Sequence, residues 1–529
     1  MPSIFNDVIG PVMRGPSSSH TAASHRIGAI VRQVCPPENA KVRVEFDRKG
    51  SLATTYEGQG SAMGMICGLL GMSMLDASII EYEYLAKKRG LNIEFYITDF
   101  EAPHPNTYKI LTEDDKQEQN QFIVVSIGGG MIEIQNINGF DVMIRGDYYE
   151  TLIFCVSQMP DLVRDMFNNL KEQISYSEIN LYQNGHANYL INLKSRESVY
   201  EIVREHLHRN AYSPLIWEIK PVMPILSGAD GDLPFSTIDQ MLELSDEKNL
   251  DLADLAVRYE CVRAGIDTQK VFSFMHDIVT TIKNSIKEGL NGTRYEDRIL
   301  GHQSHLIGDA QKTKRILSTP HNRIIAYVTA IMEAKSSMGV IVAAPTAGSA
   351  GVLGGAVFAV AEELSAGTDS IIKAFLAAGL IGVFIAHKYT FAAEEGGCQV
   401  ECGAASAMAA AGLVQLMGGT ARQATNASSM ALGNLLGLVC DPVADRVEVP
   451  CLGKNILGAT NALNSANMSI SGFDPVIPFD EVIDAMKSVG ENLPSSLCCT
   501  GLGGLSVTPT SLKLYEELKI KRADHKNAK

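Results

Sequence analysis

Glu394-Glu395-Gly396-Gly397-Cys398-Gln399-Val400-Glu401-Cys402 opens a segment that runs on to Leu438-Val439-Cys440-Asp441-Pro442 and Val449-Pro450-Cys451-Leu452-Gly453. Structural zinc sites draw thiolates in close pairs such as C-x2-C, because a tight turn must aim both at one small ion. Cys398, Cys440 and Cys451 are instead far apart. Between Gly403 and Val439 the only charged residue is Arg422, amid Ala, Met, Leu and Gly. That composition predicts one or two buried helices linking thiols that meet only by tertiary folding. Cys440-Asp-Pro places a thiol at a helix end, since Pro442 cannot continue a helix and restrains the residue before it. Val449-Pro450-Cys451 is a second non-helical break. Three cysteines at loop edges around an apolar interior suit an iron–sulfur cluster in a dry pocket. Buried free thiols, which behave as small hydrophobes, are the alternative on spacing alone.

Around that segment, 529 residues with 46% hydrophobic content allow about two to four globular domains. A net charge of −15 and a pI near 5.3 argue against a nucleic-acid surface and for a small-molecule partner. The cysteines lack dense, regular pairing, and the first residues lack a basic-then-apolar signal pattern; both point to a reducing cytoplasm. Met338 to Ala361 is uncharged and long enough to cross a bilayer. Pro345 and five glycines lower its apolar density, so no membrane span is expected there. Ala374 to Ala386 suits a helix inside a protein core.

The chain reads as multidomain. Residues 1–148 form an α/β domain, with strands at Val42–Phe46, Asn92–Ile97 and Gln121–Ser126 and a Met- and Gly-rich helix from Ser61 to Leu75. Ser126-Ile-Gly-Gly-Gly130 lacks the fixed positions of a nucleotide loop and reads as a turn into a strand at Met131–Ile134. Residues 149–222 carry the order β-α-β-β-α-β of a ferredoxin-like unit: strand Tyr149–Val156, helix Asp161–Lys171, strands Ile179–Gln183 and Ala187–Leu193, helix Ser198–His208 and strand Ile216–Val222. This unit resembles an ACT regulatory domain, although its first turn is Gln158-Met-Pro-Asp161 rather than Gly-rich; an inert spacer is the plainer reading. Residues 223–529 read as all-helical. Helical periodicity covers Leu250–Leu290 with a break at Arg263-Ala-Gly265, and a further helix runs from Pro320 to Met338.

Two polar strings stand out. Ser17-Ser18-Ser19-His20-Thr21 precedes an Ala-rich helix, where its hydroxyls supply capping oxygens and a helix N-terminus offers a carboxylate site. His104-Pro-Asn106-Thr107 is a turn whose flanking polar groups either point at a ligand or only shape the turn.

The strings Glu395-Gly-Gly-Cys398-Gln, Cys440-Asp-Pro and Val-Pro-Cys451 resemble those of the iron–sulfur L-serine dehydratases, also called L-serine ammonia-lyases. The resemblance extends to Pro16-Ser-Ser-Ser-His20-Thr21, His104-Pro-Asn-Thr107, Ala344-Pro-Thr-Ala-Gly348 and Thr500-Gly-Leu-Gly-Gly504, and so covers nearly the whole chain. It implies a 4Fe–4S cluster held by Cys398, Cys440 and Cys451, with one iron left without a protein thiolate. It implies a catalytic domain at 223–529 and L-serine as substrate. Ser18, Ser19, His20, Thr21 and Thr346 become pocket candidates, His20 for proton transfer or carboxylate binding. A homodimer or higher homo-oligomer is expected. An exposed iron, as Lewis acid, would take up the charge of the departing hydroxyl. The base is not named by the sequence.

Two departures from the family pattern are visible. Gly58-Gln59-Gly60-Ser61 stands where Gly-His-Gly-Thr is usual, and glutamine does not titrate. The chain also continues past its Gly-Gly-Leu stretch into a charged, helical tail from Leu512 to Lys529, so inhibition by a terminal cysteine is not carried over. Rival readings are a pyridoxal-phosphate lyase, for which no Schiff-base lysine is identifiable, a cluster-dependent L-cysteine desulfidase, and a non-enzymatic amino-acid sensor.

Overall fold

Period-two alternation builds the first sheet. In β2 (Lys41–Asp47) the side chains of Val42, Val44 and Phe46 are buried while Lys41 and Arg43 face outward. The computed structural model describes the chain apart from residues 37–40, 115, 157–163, 165–167, 169, 171–173, 175, 186–187, 210–211, 213, 229–232 and 528–529. Besides the short β1 (Val12–Met13), the first region contains β3 (Asn92–Thr98), β4 (Thr107–Glu113), β5 (Gln119–Ser126), β6 (Ile132–Ile137) and β7 (Phe140–Ile144). They form a sheet of order β3-β2-β4-β5-β6-β7 in which only the β2–β3 pair is parallel. The expected strands and the glycine turn are present. Two further strands appear, β4 straight after the His104-Pro-Asn turn and β7, whose Phe140, Val142 and Ile144 are buried while Asp141 and Met143 face out.

Helices Ala23–Val34 and Ser61–Leu69 pack together through glycine; the second is shorter than the sequence reading had it. A methyl group at Gly68 would lie 2.1 Å from the His25 carbonyl oxygen, and one at Gly64 2.2 Å from the Thr21 carbonyl oxygen. Gly68→Ala should therefore cost about 1–3 kcal/mol by overpacking, measurable as a lowered denaturant midpoint with an unchanged m-value.

The second sheet has the order β11-β8-β10-β9, from β8 (Tyr149–Val156), β9 (Glu178–Asn184), β10 (Asn188–Ser195) and β11 (Leu215–Ile219), with every pair antiparallel. Ile153, Ile191 and Leu193 face helix Tyr200–Arg209. Leu152, Leu190 and Ile219 belong to the core of the first sheet. The helix expected over Asp161–Lys171 and the turn Gln158–Asp161 fall largely or wholly outside the described residues.

Glu150 of β8 is buried, and neither carboxyl oxygen has a hydrogen-bond partner. Burial pushes its pKa up to about 8, against the pull of Lys194. A carboxyl whose folded pKa exceeds its unfolded value contributes its full stability below the unfolded pKa and loses it as pH rises through the folded one. Glu150→Gln should thus raise unfolding free energy by about 1–3 kcal/mol at pH 9. The gain should shrink towards zero at pH 5 in parallel urea titrations.

The remaining region is helical. Leu252–Ala264 and Thr268–Asn291 are separated at Gly265, in the left-handed region at φ 61°. Helix Cys402–Leu416 is buried on every side through Val414, as its Ala-rich, charge-free sequence requires. It packs against Ala350–Glu363, Thr368–Lys388, Ala421–Gly433 and Cys451–Ile470. By length and composition Thr368–Lys388 could cross a membrane, but 72% of its most apolar window is buried in this core.

The chain's first residues join this helical core rather than the first sheet. Ile4 and Val8 lie against Gly379 and Gly382, where a methyl group would come within 2.6 and 2.1 Å of them. β1 pairs antiparallel with β12 (Ile341–Val342). The tail is helical over Pro509–Asn527 and packs Leu514 and Leu518 onto the turn Val443–Asp445.

Candidate active site

Gly397 is at φ 69°, and a side chain there would strike Leu493 at 2.7 Å and the Leu438 carbonyl at 3.0 Å. This bend lets Cys398 open a short turn, Cys398–Val400, tied to the second cysteine segment by Gln399 N–H donating to Leu438 O at 2.9 Å. The regular helix starts only at Cys402. From sequence, Gly396-Gly397 before Cys398 suggests a loop-to-helix junction with Cys402 one turn inside the helix; that expectation is corrected here, because the glycine bend and the short turn delay the helix by four residues.

Cys440 is likewise not at a helix end, because helix Ala421–Gly433 has already finished. It lies in an extended bridge with Cys498, its N–H donating to Leu497 O at 2.8 Å and its carbonyl accepting from Cys499 N–H at 2.9 Å. Cys451 begins helix Cys451–Ile470.

The result is a group of buried thiols. Cys398 and Cys402 are within hydrogen-bonding reach of each other, as are Cys440 and Cys499, and Cys451 is electrostatically coupled to Cys398. Cys499 did not emerge from the sequence reading. Its signal was the tandem Cys498-Cys499 just before Thr500-Gly-Leu-Gly-Gly504. Gln59 donates to the Cys499 sulfur at 3.7 Å, so the residue that replaces the family's histidine reaches the thiol group itself.

Burial raises the Cys451 thiol to about 12, opposed by Lys335. Cys402 is raised by its hydrogen bond to Cys398 and by burial. Lys335 is fully buried and donates to Val447 O, while Lys454 Nζ donates to Val439 O and Asp441 Oδ1, both at 2.7 Å. Lys454 is desolvated, yet the Cys398 and Cys440 sulfurs and Asp441 hold its pKa above the ordinary lysine value. Burial lowers the Lys335 pKa, opposed by the Cys451 sulfur and Glu448, so Lys454 is the cation that favours thiolate beside it.

Among the described residues no three His, Cys, Asp or Glu side chains converge as a single ion would require. An iron–sulfur cluster carries its own sulfide and takes each thiolate on a different iron, so its ligands surround a volume rather than a point. The thiol-rich donor set, its burial and Lys454 fit such a group.

Beside the thiols lies a cluster of buried polar side chains. Ser18–Ala22 is a wide π-helical turn, and Ser17, at the position of the cap, makes no side-chain capping bond. The hydroxyls expected to cap the helix meet other groups instead. The His20 ring is fully buried, with Nε2 2.8 Å from Thr55 Oγ1 and Nδ1 3.1 Å from Ser17 Oγ. Thr55 spends its hydroxyl proton on Ser51 O at 2.7 Å, so it accepts from His20 and the Nε2 proton is placed by hydrogen-bond accounting. Nδ1 is then a lone pair, 3.3 Å from Ser19 Oγ and 3.7 Å from Glu394 Oε1. Burial lowers the His20 pKa, and Glu394 opposes this.

Glu394 accepts from Ser19 Oγ at 3.1 Å through Oε1, while its buried Oε2 has no partner. Glu401 accepts from Thr346 Oγ1 at 2.6 Å and is raised to about 7 by burial, with Glu394 adding to the shift. Ser18 Oγ accepts from Ala347 N–H at 3.1 Å, joining the N-terminal string to the Thr346 loop. Thr21 Oγ1 donates to Gln59 O at 2.9 Å. His104 Nε2 is 2.7 Å from Glu395 Oε1, and its Nδ1 accepts from Asn106 N–H at 3.0 Å. The Asn106 amide is buried, and neither of its polar atoms has a partner. Ser18, Ser19, His20 and Thr346 therefore share one neighbourhood with the thiols. Glu394, Glu401, Thr55 and Lys335 are members that the sequence reading did not assign.

A family model described as the serine dehydratase alpha chain matches residues 247–506. A protein of Bacillus subtilis (strain 168) named "Probable L-serine dehydratase, alpha chain" is 36% identical over 285 residues, 54% of this chain and 95% of that protein. The "L-serine dehydratase, alpha chain" of Peptoniphilus asaccharolyticus is 35% identical over 55% of this chain and 99% of its own length. "Probable L-serine dehydratase, beta chain" of Bacillus subtilis (strain 168) is 42% identical over 151 residues, 28% of this chain and 67% of that protein, and its match falls in the N-terminal part.

Proposed function

Because this chain belongs to the L-serine dehydratase family, joining in one polypeptide the parts that some relatives carry as alpha and beta chains, we propose that it converts L-serine to pyruvate and ammonia at a 4Fe–4S cluster held by Cys398, Cys440 and Cys451. The observation that carries this reading is the meeting of buried thiols from distant segments with the His20–Glu394 pocket. When bound, such a cluster with one open iron supplies Lewis acidity for the departing hydroxyl.

The other tasks fall to the chain. His20 Nδ1, an acceptor in a water-poor pocket, takes the Cα proton. Glu394, 3.7 Å away, stabilises the resulting imidazolium. Ser18, Ser19 and the Thr346 loop position the carboxylate. Lys454 favours the anionic form of the Cys398 and Cys440 sulfurs. Loss of the Cα proton and the β-hydroxyl leaves an enamine, which tautomerises to an imine. Water then releases ammonia and pyruvate.

Residues 149–222 are proposed as an ACT-like regulatory unit, a reading supported by the β11-β8-β10-β9 order. The three-part division at 148 and 222, a homodimer and a cytoplasmic location complete the proposal. Protein purified without air should contain about four iron and four acid-labile sulfide per chain and form pyruvate from L-serine. Activity should fall in air and return with iron and sulfide under reduction. Full activity in iron-free protein would overturn the reading.

A further inference from the structure

A cavity of about 490 Å³ opens where the N-terminal arm, the β5–β6 turn, the end of β7 and the C-terminal end of helix Thr368–Lys388 meet. Its size suits a small ligand. The triple-glycine turn builds one wall. Gly128, Gly129 and Gly130 all have positive φ, and a methyl group at Gly128 would lie 2.6 Å from Ala392 N. Only glycine lets this turn press so closely on the Phe391–Ala392 backbone.

The cavity is lined by Glu395, which His104 engages, and by four further charged residues, Asp7, Arg145, Asp147 and Arg263, of which Arg145 is paired with Glu133 at 2.8 Å. Asp7 feels the other three, its pKa raised by burial and by Asp147 and lowered by Arg263 and Arg145. The Arg263 side chain is only 7% exposed. Its Nε donates to Glu260 at 3.1 Å and its Nη1 to Ser227 Oγ at 3.4 Å, while Nη2 is buried without a partner. Asp147 accepts from Ser227 Oγ at 2.6 Å. A guanidinium nitrogen left unpaired in a nearly buried side chain is costly unless an anion completes it.

We propose that this cavity binds a small α-amino acid as a zwitterion, its carboxylate towards Arg263 and Arg145 and its ammonium towards Asp7 and Asp147. Guanidinium groups and carboxylates together around one small volume match a dipolar ligand. A simple anion would leave the carboxylates facing a like charge, and a simple amine would do the same to the arginines. Ile127, Met131 and Phe391 supply apolar surface for a short side chain.

The site is separate from the candidate catalytic pocket but mechanically joined to it. Glu395 lines the cavity and holds His104 at 2.7 Å. The adjacent Glu394 holds Ser19 and faces His20. A ligand that shifts Phe391–Glu395 would be felt at both residues.

Equilibrium dialysis of the full chain, isolated without air, tests this with radiolabelled L-alanine, which has no β-hydroxyl to lose. The wild type should bind it. Asp147→Asn and the exposed Arg145→Gln should each weaken that binding at least tenfold, while His20→Asn leaves it unchanged. Propionate and ethylamine should compete at least tenfold more weakly than unlabelled L-alanine. Binding unaltered in both cavity variants, binding lost only in His20→Asn, propionate competing as well as L-alanine, or no binding to the wild type would each overturn the proposal. Because the readout is binding, these outcomes are independent of whether the protein forms pyruvate.

Discussion

Replacing Cys398, Cys440 or Cys451 by Ser should strip iron and sulfide from the isolated protein and lower pyruvate formation on the order of 10³-fold or more, the scale of losing a principal electrostatic contact to the transition state. Each thiol is anchored by a different device: Cys398 by the Gly397 bend, Cys440 by its bridge to the Cys498 segment, and Cys451 by the start of helix Cys451–Ile470. Serine keeps the volume but is a poor ligand for iron.

Cys402→Ala should behave differently and retain both iron and most activity. Cys402 is completely buried and receives a contact from Asn455 Nδ2 at 3.7 Å. A fourth thiolate would fill the coordination position that a leaving hydroxyl needs. Cys499→Ala should also keep its iron, since Cys499 is not among the three proposed ligands, although its thiol lies within hydrogen-bonding reach of Cys440 and takes a contact from Gln59. Iron and sulfide analysis of the five variants, with circular dichroism to exclude unfolding, decides the matter. Equal loss of iron from Cys402→Ala would argue for a four-thiolate site with no place for substrate.

Glu394→Gln should lower kcat by about 10²-fold or more while iron content stays normal. The substitution keeps the shape and a hydrogen-bond acceptor for Ser19 but removes the charge facing His20 Nδ1 at 3.7 Å. The sign of the pH effect follows. Glu394 favours protonated His20 and so raises a pKa that burial depresses. Without the carboxylate, the acidic limb of the kcat profile should move to lower pH. His20→Asn should lose a comparable factor, and the double variant should be scarcely worse than either single one, as expected for groups acting as a unit. A normal kcat in Glu394→Gln, or an acidic limb displaced to higher pH, would remove Glu394 from this role.

Much of the fold was legible because its signals are local. Period-two alternation marked β2, β3 and β5, and Gly265 marked the break between two long helices. The charge-free run after Cys402 predicted a buried helix because a helix apolar on every face has no stable place in water. The thiols of Cys398, Cys440 and Cys451 were identifiable as one group from family resemblance. Their spacing alone left buried free thiols equally admissible.

Other features depend on contacts across hundreds of residues. Nothing near Glu394 in sequence says that His20 and Ser19 arrive beside it, 374 and 375 positions away. Nothing near Cys499 says that Cys440 will pair with its backbone. The start of helix Cys402–Leu416 was misplaced because Gly397 adopts a left-handed bend only when packed against Leu438 and Leu493. By itself the sequence determined several of the strands, the buried helix after Cys402 and which residue types are present for thiolate and proton-transfer chemistry, since propensity and amphipathic period act over a few residues. Only the tertiary structure decided which acid faces His20, which nitrogen of its ring carries the proton and which lysines attend the thiols. Those outcomes rest on burial and on pair distances of a few ångströms, and both exist only once the chain has closed on itself.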